Sequence, residues 1–423
     1  MRELPMKTLI KDISSLVTIS GNNEKPRRGK ELDNINEIQN GAIFFDEKIL
    51  WVGSTQEAEI KLHNGEITPE QTISLKGKTV FPGFVDSHTH LVFAGDRANE
   101  FALRVRGATY QEIAERGGGI IATVKAVRKA SEDELFENAS KHLWSAIRHG
   151  TVAIEIKSGY GLDVENELKL LRVNKKLSDA FPIHIVPTFL GAHDFPPEYK
   201  NKPDDYVEII CKEMIPKVAE LNLAKYCDCF VDKGYYTIQQ AEKIFRTAQD
   251  YGLKIRMHAD ELADVGAGRF AGEIGAISAD HLLFVSDESL EEMKNAGTIA
   301  TLLPGTSYFI RMPYAPAKKI VEKEIPIALA SDFNPGSCFT ENMQIILSLA
   351  VTNLGLNCEQ ALVASTINGA HSLEISSLVG SLEVGKEATF AILDCSSYVE
   401  MFYHYGINHV KEVWVKGKKF IEN

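Results

Sequence analysis

Val85-Asp-Ser-His-Thr-His90, entered through Thr79-Val-Phe-Pro-Gly83, is the stretch on which the fold turns. It reads as an apolar β-strand ending in two histidines. Side chains at i and i+2 of a strand leave the same face. His88 and His90 therefore point together, as two ligands of one metal ion must. The spacing alone is weak, because a chain with 12 histidines in 423 residues produces His-x-His by chance roughly 0.3 times. Context strengthens it: Val80, Phe81, Phe84 and Val85 form an apolar run, and Pro82-Gly83 bends the entry.

Downstream of this strand, apolar β-type runs alternate with helical patterns, which predicts repeated βα units. After Val80–His90 come Thr151–Ile156, Pro182–Phe189, Tyr226–Val231, Leu253–His258, Ala276–His281, Thr298–Leu303 and Ile325–Asp332. Helices are credible between them. Ser131 with Glu134, and Thr237 with Gln240, have capping-box spacing, and Gly150 and Gly252 stand where those helices would end. Eight repeats predict an α/β fold, a (β/α)8 TIM-type barrel over residues 79–379. Its active site belongs at the C-terminal ends of the strands.

The flanking segments are different in character. Leu16–Ile19, Ala42–Phe45 and Ile49–Val52 precede the barrel, while Ala388–Leu393, Val410–Val415 and Lys418–Ile421 follow it. All are short and β-rich. Residues 1–78 and 380–423 are expected to pair into a small β-sandwich domain, with the charged segment Gly21–Asn36 as a surface loop or hairpin tip.

A net charge of −12 argues against nucleic-acid binding, which needs a basic footprint. No apolar run approaches the ~18 residues of a membrane helix, and Lys7, Lys11 and Asp12 interrupt any signal-peptide core. The expected setting is cytoplasmic. Six cysteines include a single close pair, Cys227 and Cys229. Their spacing matches neither a zinc ribbon nor a thioredoxin-type pair, so they read as reduced thiols.

Chemistry-bearing side chains collect at the strand ends. His88 and His90 close the first strand, His193 follows the third, His258 ends the fifth with Glu261 three residues on, His281 ends the sixth and Asp332 the eighth. Any one of these alone reads as a satisfied core or surface residue; their joint placement does not. Three imidazoles and a carboxylate suit zinc or iron. His88, His90, His258 and Asp332 are the candidate ligands of one divalent or trivalent ion, which would lower the pKa of a bound water. Glu261 is the candidate proton carrier, and His281 would polarise a carbonyl or orient the water. Lys157 and Lys233 follow the second and fourth strands, where a bridging group for a second metal would stand. Strand-end lysines are usually solvated, and one metal is expected.

Phe81-Pro-Gly-Phe-Val-Asp-Ser-His-Thr-His90 and Gly380-Ser-Leu-Glu-Val-Gly-Lys386 resemble the amidohydrolase superfamily. An ordered set of further motifs narrows the resemblance to the imidazolonepropionase family: Leu91-Val-Phe-Ala-Gly-Asp-Arg97, Gly107-Ala-Thr-Tyr-Gln-Glu-Ile113, Gly117-Gly-Gly-Ile120, Lys157-Ser-Gly-Tyr-Gly-Leu162, Gly191-Ala-His193, His258-Ala-Asp-Glu261 and Ser331-Asp-Phe-Asn-Pro-Gly336. The resemblance implies hydrolysis of 4-imidazolone-5-propanoate to N-formimidoyl-L-glutamate, by attack of a metal-activated hydroxide, in histidine degradation. It implies the same four ligands, with Glu261, His281 and Asp332 as catalytic groups. It places Arg97, Tyr110, Tyr160, His193 and Glu261 on the substrate, with Asn334, Gly336 and Ser337 on the product side. It also implies a homodimer. An arginine fork suits the propanoate carboxylate, and His193 and His281 are the expected donors to the oxyanion. Gly117-Gly-Gly119 lacks a following Lys-Ser/Thr and reads as a loop over the pocket rather than a phosphate cradle.

Overall fold

The computed structural model describes residues 6–107 and 118–423. Eight parallel strands follow one another in chain order: β1 (Phe84–Asp86), β2 (Thr151–Lys157), β3 (His184–Ala192), β4 (Tyr226–Val231), β5 (Lys254–Ala259), β6 (Ser278–His281), β7 (Ile299–Leu302) and β8 (Ile327–Leu329). The ring is closed by a parallel bridge between Thr89 and Phe333. Beside it, the Asp332 N–H donates to the His88 carbonyl at 3.0 Å and the His90 N–H to the Phe333 carbonyl at 2.9 Å. The seam that closes the barrel thus runs through three of the candidate ligands.

Helices cover the outside. The helix Glu132–Arg148 starts from Ser131, whose hydroxyl accepts the Glu134 N–H. It turns Leu135, Ala139, Leu143, Ala146 and Ile147 inward at the three- and four-residue spacing of a helix face. Thr237 caps Ile238–Asp250 in the same way. Gly150 has φ +99°, a conformation that leaves room for the sharp return into β2.

The expected first strand, Val80–His90, divides in two. Thr79–Phe81 pairs with Ser15 and Leu16 on one side and with Ala391, Ile392 and Leu393 on the other. After Pro82-Gly83 the chain starts again as β1. Gly83 has φ +76°, and a Cβ there would lie 2.6 Å from Val152. This glycine therefore sets the bend between the two sheets.

Both termini build one mixed sheet. Its order is Lys418–Glu422, Val410–Val415, Phe390–Leu393, Thr79–Phe81, Thr8–Val17, Glu37–Phe45, Ile49–Ser54, with Gln71–Ser74 also paired to Thr8–Val17. Phe45, Phe390 and Trp414 meet with ring centroids 5.4–5.7 Å apart. Phe45 and Trp414 stand four strands apart in the sheet order, so the sheet curls over on itself around them.

Residues 21–36 form the largely exposed loop that their charge suggests, but three buried side chains, Arg27, Leu32 and Ile35, anchor it. Gly29–Asp33 is a 3-10 turn with Leu32 buried. Arg27 is buried too, and donates to the Ile19 and Ser20 carbonyls at 2.8 Å. Its backbone N–H and carbonyl both bond the Asn368 side-chain amide. Backbone carbonyls satisfy the buried guanidinium, Glu383 and Glu31 offset part of the cost of burying its charge, and that pattern leaves no signature in composition. All six cysteines are free. No helix among the described residues is long and apolar enough to cross a membrane.

Candidate active site

His88 and His90 lie beyond the last paired residue of β1, yet they still project into one space, because the bonds of the barrel seam keep this stretch extended. His88, His90, His258, His281 and Asp332 all converge at the C-terminal mouth of the barrel. Ligand atoms of His88, His90 and Asp332 lie within 4.8 Å of one another, and so do those of His88, His258 and His281. His88 Nε2 and His90 Nε2 are each 3.5 Å from Asp332 Oδ1. His258 Nε2 is 3.4 Å from His90 Nε2. Donors bound at about 2.1 Å in a tetrahedron sit about 3.4 Å apart, so these separations are those of a metal shell. His88 Nε2 is buried and has no hydrogen-bond partner, which leaves a lone pair aimed at the shared centre.

The orientation of two rings is fixed from behind. Asp280 Oδ2 accepts from His88 Nδ1 at 2.7 Å, and Asp228 accepts from His258 Nδ1 at 3.0–3.1 Å. A carboxylate can only accept, so each Nδ1 carries the proton and each Nε2 is left bare. Asp332 Oδ2 in turn accepts from the Thr306 hydroxyl. Beneath these lies a second layer that the sequence reading did not identify. Lys157 is fully buried, with Nζ 2.7 Å from Asp228 and 2.8 Å from Glu155. Arg256, also fully buried, reaches Glu155 and Asp280 at 3.5 and 3.6 Å. Lys157 is thus an ion-paired core residue and not a solvated strand-end lysine; Lys233 is the exposed one. The available signal was a charged residue inside an apolar strand, as in Ile154-Glu-Ile156 and Cys227-Asp-Cys229.

Burial dominates the electrostatics. It pushes the His88, His90 and His281 imidazoles well below their ordinary range, and neighbouring cations add to this. The same cause moves the acids the other way: Asp332 rises to about 6, and Glu261 rises well above the usual carboxylate range with help from Asp332 and Asp232. Asp228 is the exception. Burial pushes it up, but the His258 and Lys157 charges hold it well below the ordinary value. Neutral His88 and His90 imidazoles, with a firmly ionised Asp228 behind His258, are what a cation site requires.

Glu261 sits on the loop after β5. Asp232 holds that loop by accepting the Glu261, Leu262 and Ala263 N–H groups at 2.7–3.1 Å. Glu261 Oε2 is 3.6 Å from His281 Nε2. His281 and Asp332 are both left-handed, at φ +78° and +51°. Such strain in a non-glycine residue persists only where the surroundings over-determine it.

His193 stacks on His90 with centroids 4.9 Å apart. Its Nδ1 lies 3.0 Å from the Gly159 carbonyl, which can only accept, so the proton sits on Nδ1. Burial lowers its pKa to about 3, and the ring is neutral. Its Nε2 is therefore an acceptor, which corrects the expectation of an oxyanion donor. A Cβ at Gly159 would lie 2.9 Å from that Nδ1. Glu167 fixes the turn by accepting the Gly159, Gly161 and Leu162 N–H groups. Tyr160 on this turn is buried. Burial raises its phenol above the ordinary range although the Arg97 charge opposes it, so the hydroxyl keeps its proton.

His90, Tyr160, His193, His258, Glu261, His281 and Asp332 line one cavity of about 830 Å³, together with Arg97, Asn334, Gly336 and Ser337. Gly336 makes room for Arg97: a Cβ there would stand 1.8 Å from Arg97 Nη2. Asn334 spends its amide on its own loop, donating to the Asp332 carbonyl and Ser337 Oγ and accepting the Gly336 and Ser337 N–H groups. Tyr110 lies outside the described residues, as does the whole segment between Gly107 and Gly118.

Residues 232–420 match the amidohydrolase family model. The imidazolonepropionase of Alkaliphilus metalliredigens is 44% identical over 417 residues, covering 98% of both chains. That of Symbiobacterium thermophilum is 44% identical over 421 residues, covering 99% of this chain and 98% of its own. Among solved structures, the zinc complex of the atrazine chlorohydrolase TrzN from Arthrobacter aurescens superposes with a TM-score of 0.76 at 16% identity, over 98% of this chain and 95% of that one.

Proposed function

This chain belongs to the imidazolonepropionase family of amidohydrolases, and on that premise we propose how its cavity works. The reaction is hydrolysis of the cyclic amide C–N bond of 4-imidazolone-5-propanoate to N-formimidoyl-L-glutamate. His88, His90, His258 and Asp332 would hold one metal ion per subunit, zinc or iron. When bound, the ion supplies Lewis acidity at the carbonyl and a water of lowered pKa.

The remaining steps fall to the protein. Arg97 receives the propanoate carboxylate as a charge-assisted fork. His193 Nε2, as an acceptor, takes a ring N–H and sets the plane of the heterocycle. Tyr160 keeps its hydroxyl proton and can donate to the bound substrate. His281, kept neutral by burial, offers its one N–H to the carbonyl oxygen as charge builds there. Glu261 takes a proton from the attacking water and returns it to the ring nitrogen as the C–N bond breaks. Asn334 and Ser337 shape the loop on the product side, and Tyr110 joins the substrate contacts. A homodimer and a cytoplasmic setting belong to the same reading.

The observation that carries the proposal is the set of donor separations of 3.4 and 3.5 Å, at the floor of a cavity that also holds Arg97 and Glu261. The test is turnover of imidazolone propanoate generated in situ, followed by loss of ring absorbance and appearance of N-formimidoylglutamate. Turnover should vanish with a chelator and in His258→Ala, and return when metal is restored to the wild type. Chelator-resistant turnover would refute the metal assignment.

A further inference from the structure

The helix Ala98–Val105 carries a second arginine to the same cavity. Arg97, the residue that precedes it, and Arg104 are seven positions apart. They therefore share one face of the helix. Arg104 Nη1 donates to the Gly336 carbonyl at 3.3 Å, the same Gly336 against which Arg97 lies. The Arg104 guanidinium stands over the Phe309 and Phe101 rings, at 5.1 and 5.7 Å, and those rings stack on each other at 5.0 Å. Aromatic faces hold a guanidinium plane without using its N–H donors.

Those donors are left over. Arg104 Nη2 and Arg97 Nε are buried and have no hydrogen-bond partner among the described residues. Local acids do not bond these two atoms, although Glu100 offsets part of the Arg104 charge. Glu100 is 3.9 Å from Arg97 and already accepts the Gly119 N–H. Asp96 accepts the Ala98 N–H. Arg311 adds a third positive charge close enough to disfavour that of Arg104. Clustered cations with idle donors in a cavity wall call for an anion that the described residues supply only in part.

Resting on the reaction assigned above, we propose that Arg104 is a second guanidinium of the substrate-tail subsite, and that it binds the propanoate carboxylate jointly with Arg97. The pair selects for a carboxylate tail over a neutral tail of the same shape.

The test compares imidazolone propanoate with its propanamide analogue in the wild type, Arg104→Met and Arg104→Lys. Methionine keeps an apolar stem against Phe101 and Phe309, so the helix retains its packing. Arg104→Met should lose on the order of 10–100-fold in kcat/KM on the acid, mainly through KM. On the amide it should change less than about twofold, and Arg104→Lys should recover part of the loss. Calorimetry with the unreactive probe imidazole-4-propanoate should show the same loss in Kd. Equal losses on acid and amide, or none on the acid, would overturn the proposal. Wild-type protein inert towards both compounds would instead overturn the assigned reaction, and the subsite with it.

Discussion

Replacing Lys157 by methionine tests the charged layer beneath the histidines. The ammonium is fully buried and pairs with Asp228 at 2.7 Å and Glu155 at 2.8 Å, with Asp280 at 3.7 Å. Its removal leaves three buried carboxylates with Arg256 as the remaining strong cation beside the His88 and His258 donors. Breaking a buried pair by deleting one partner costs about 3–5 kcal/mol, because the remaining charge is stranded. Arg256 still reaches Glu155 and Asp280, so the lower end, about 3 kcal/mol, is the expected loss. This is a large share of a typical total of about 5–15 kcal/mol. A second effect follows. Asp228 orients His258, and losing such an outer partner weakens metal binding on the order of 10–100-fold. Urea unfolding of the metal-free protein at pH 7 measures the first effect, and competition with a chelator the second. Lys233→Met, at the exposed lysine, serves as the control and should stay within about 0.5 kcal/mol of wild type. A Lys157→Met protein that loses less than about 1 kcal/mol and keeps its metal affinity would refute the reasoning.

Gly336→Ala should lower kcat/KM by up to about 10²-fold through displacement of Arg97, while the unfolding midpoint moves little; steady-state kinetics beside a urea curve separate the two. His193 binds its proton far less readily in the folded chain than in the unfolded one. Its contribution to stability is complete above pH 6.5 and is lost progressively as pH falls towards about 3. The pH dependence of the urea midpoint should therefore be shallower in His193→Gln over that window, and an unchanged slope would count against a buried neutral ring. Asp280→Asn should keep the fold yet bind metal on the order of 10–100-fold more weakly, read by chelator competition.

The barrel and its metal-ligand candidates were legible because they follow from periodicity and position. Eight apolar runs, four of them ending in a histidine or an aspartate, say both where the strands lie and which end holds the chemistry. The i, i+2 argument for His88 and His90 survives even though β1 stops at Asp86, because the seam with Asp332 and Phe333 keeps the segment extended. What escaped notice was the support. Glu155, Asp228, Arg256 and Asp280 sit mid-strand, where side-chain alternation says only that they point inward or outward. Which of them pair depends on register between strands distant in sequence. Arg27 escaped for a related reason: its partners are carbonyl oxygens, which every residue has. Arg104 lies on a short helix with no buried residue, so nothing in its local pattern separates it from a solvated side chain.

The break at Pro82-Gly83 also fixes the order in which the molecule can be completed. Thr79–Phe81 is flanked on one side by the N-terminal strand and on the other by Phe390–Leu393, and the Thr79 hydroxyl donates to the Cys395 carbonyl, 316 residues away. During synthesis the barrel can be finished while this strand still presents a bare edge. An edge of that kind, apolar and unpaired, is a site for wrong pairing with other chains until its partner arrives. Closing contacts of such long sequence separation are intrinsically slow to form. The outer sheet is therefore the last piece to lock, and chains truncated before Phe390 will aggregate through the strand that leads directly into the histidine pair.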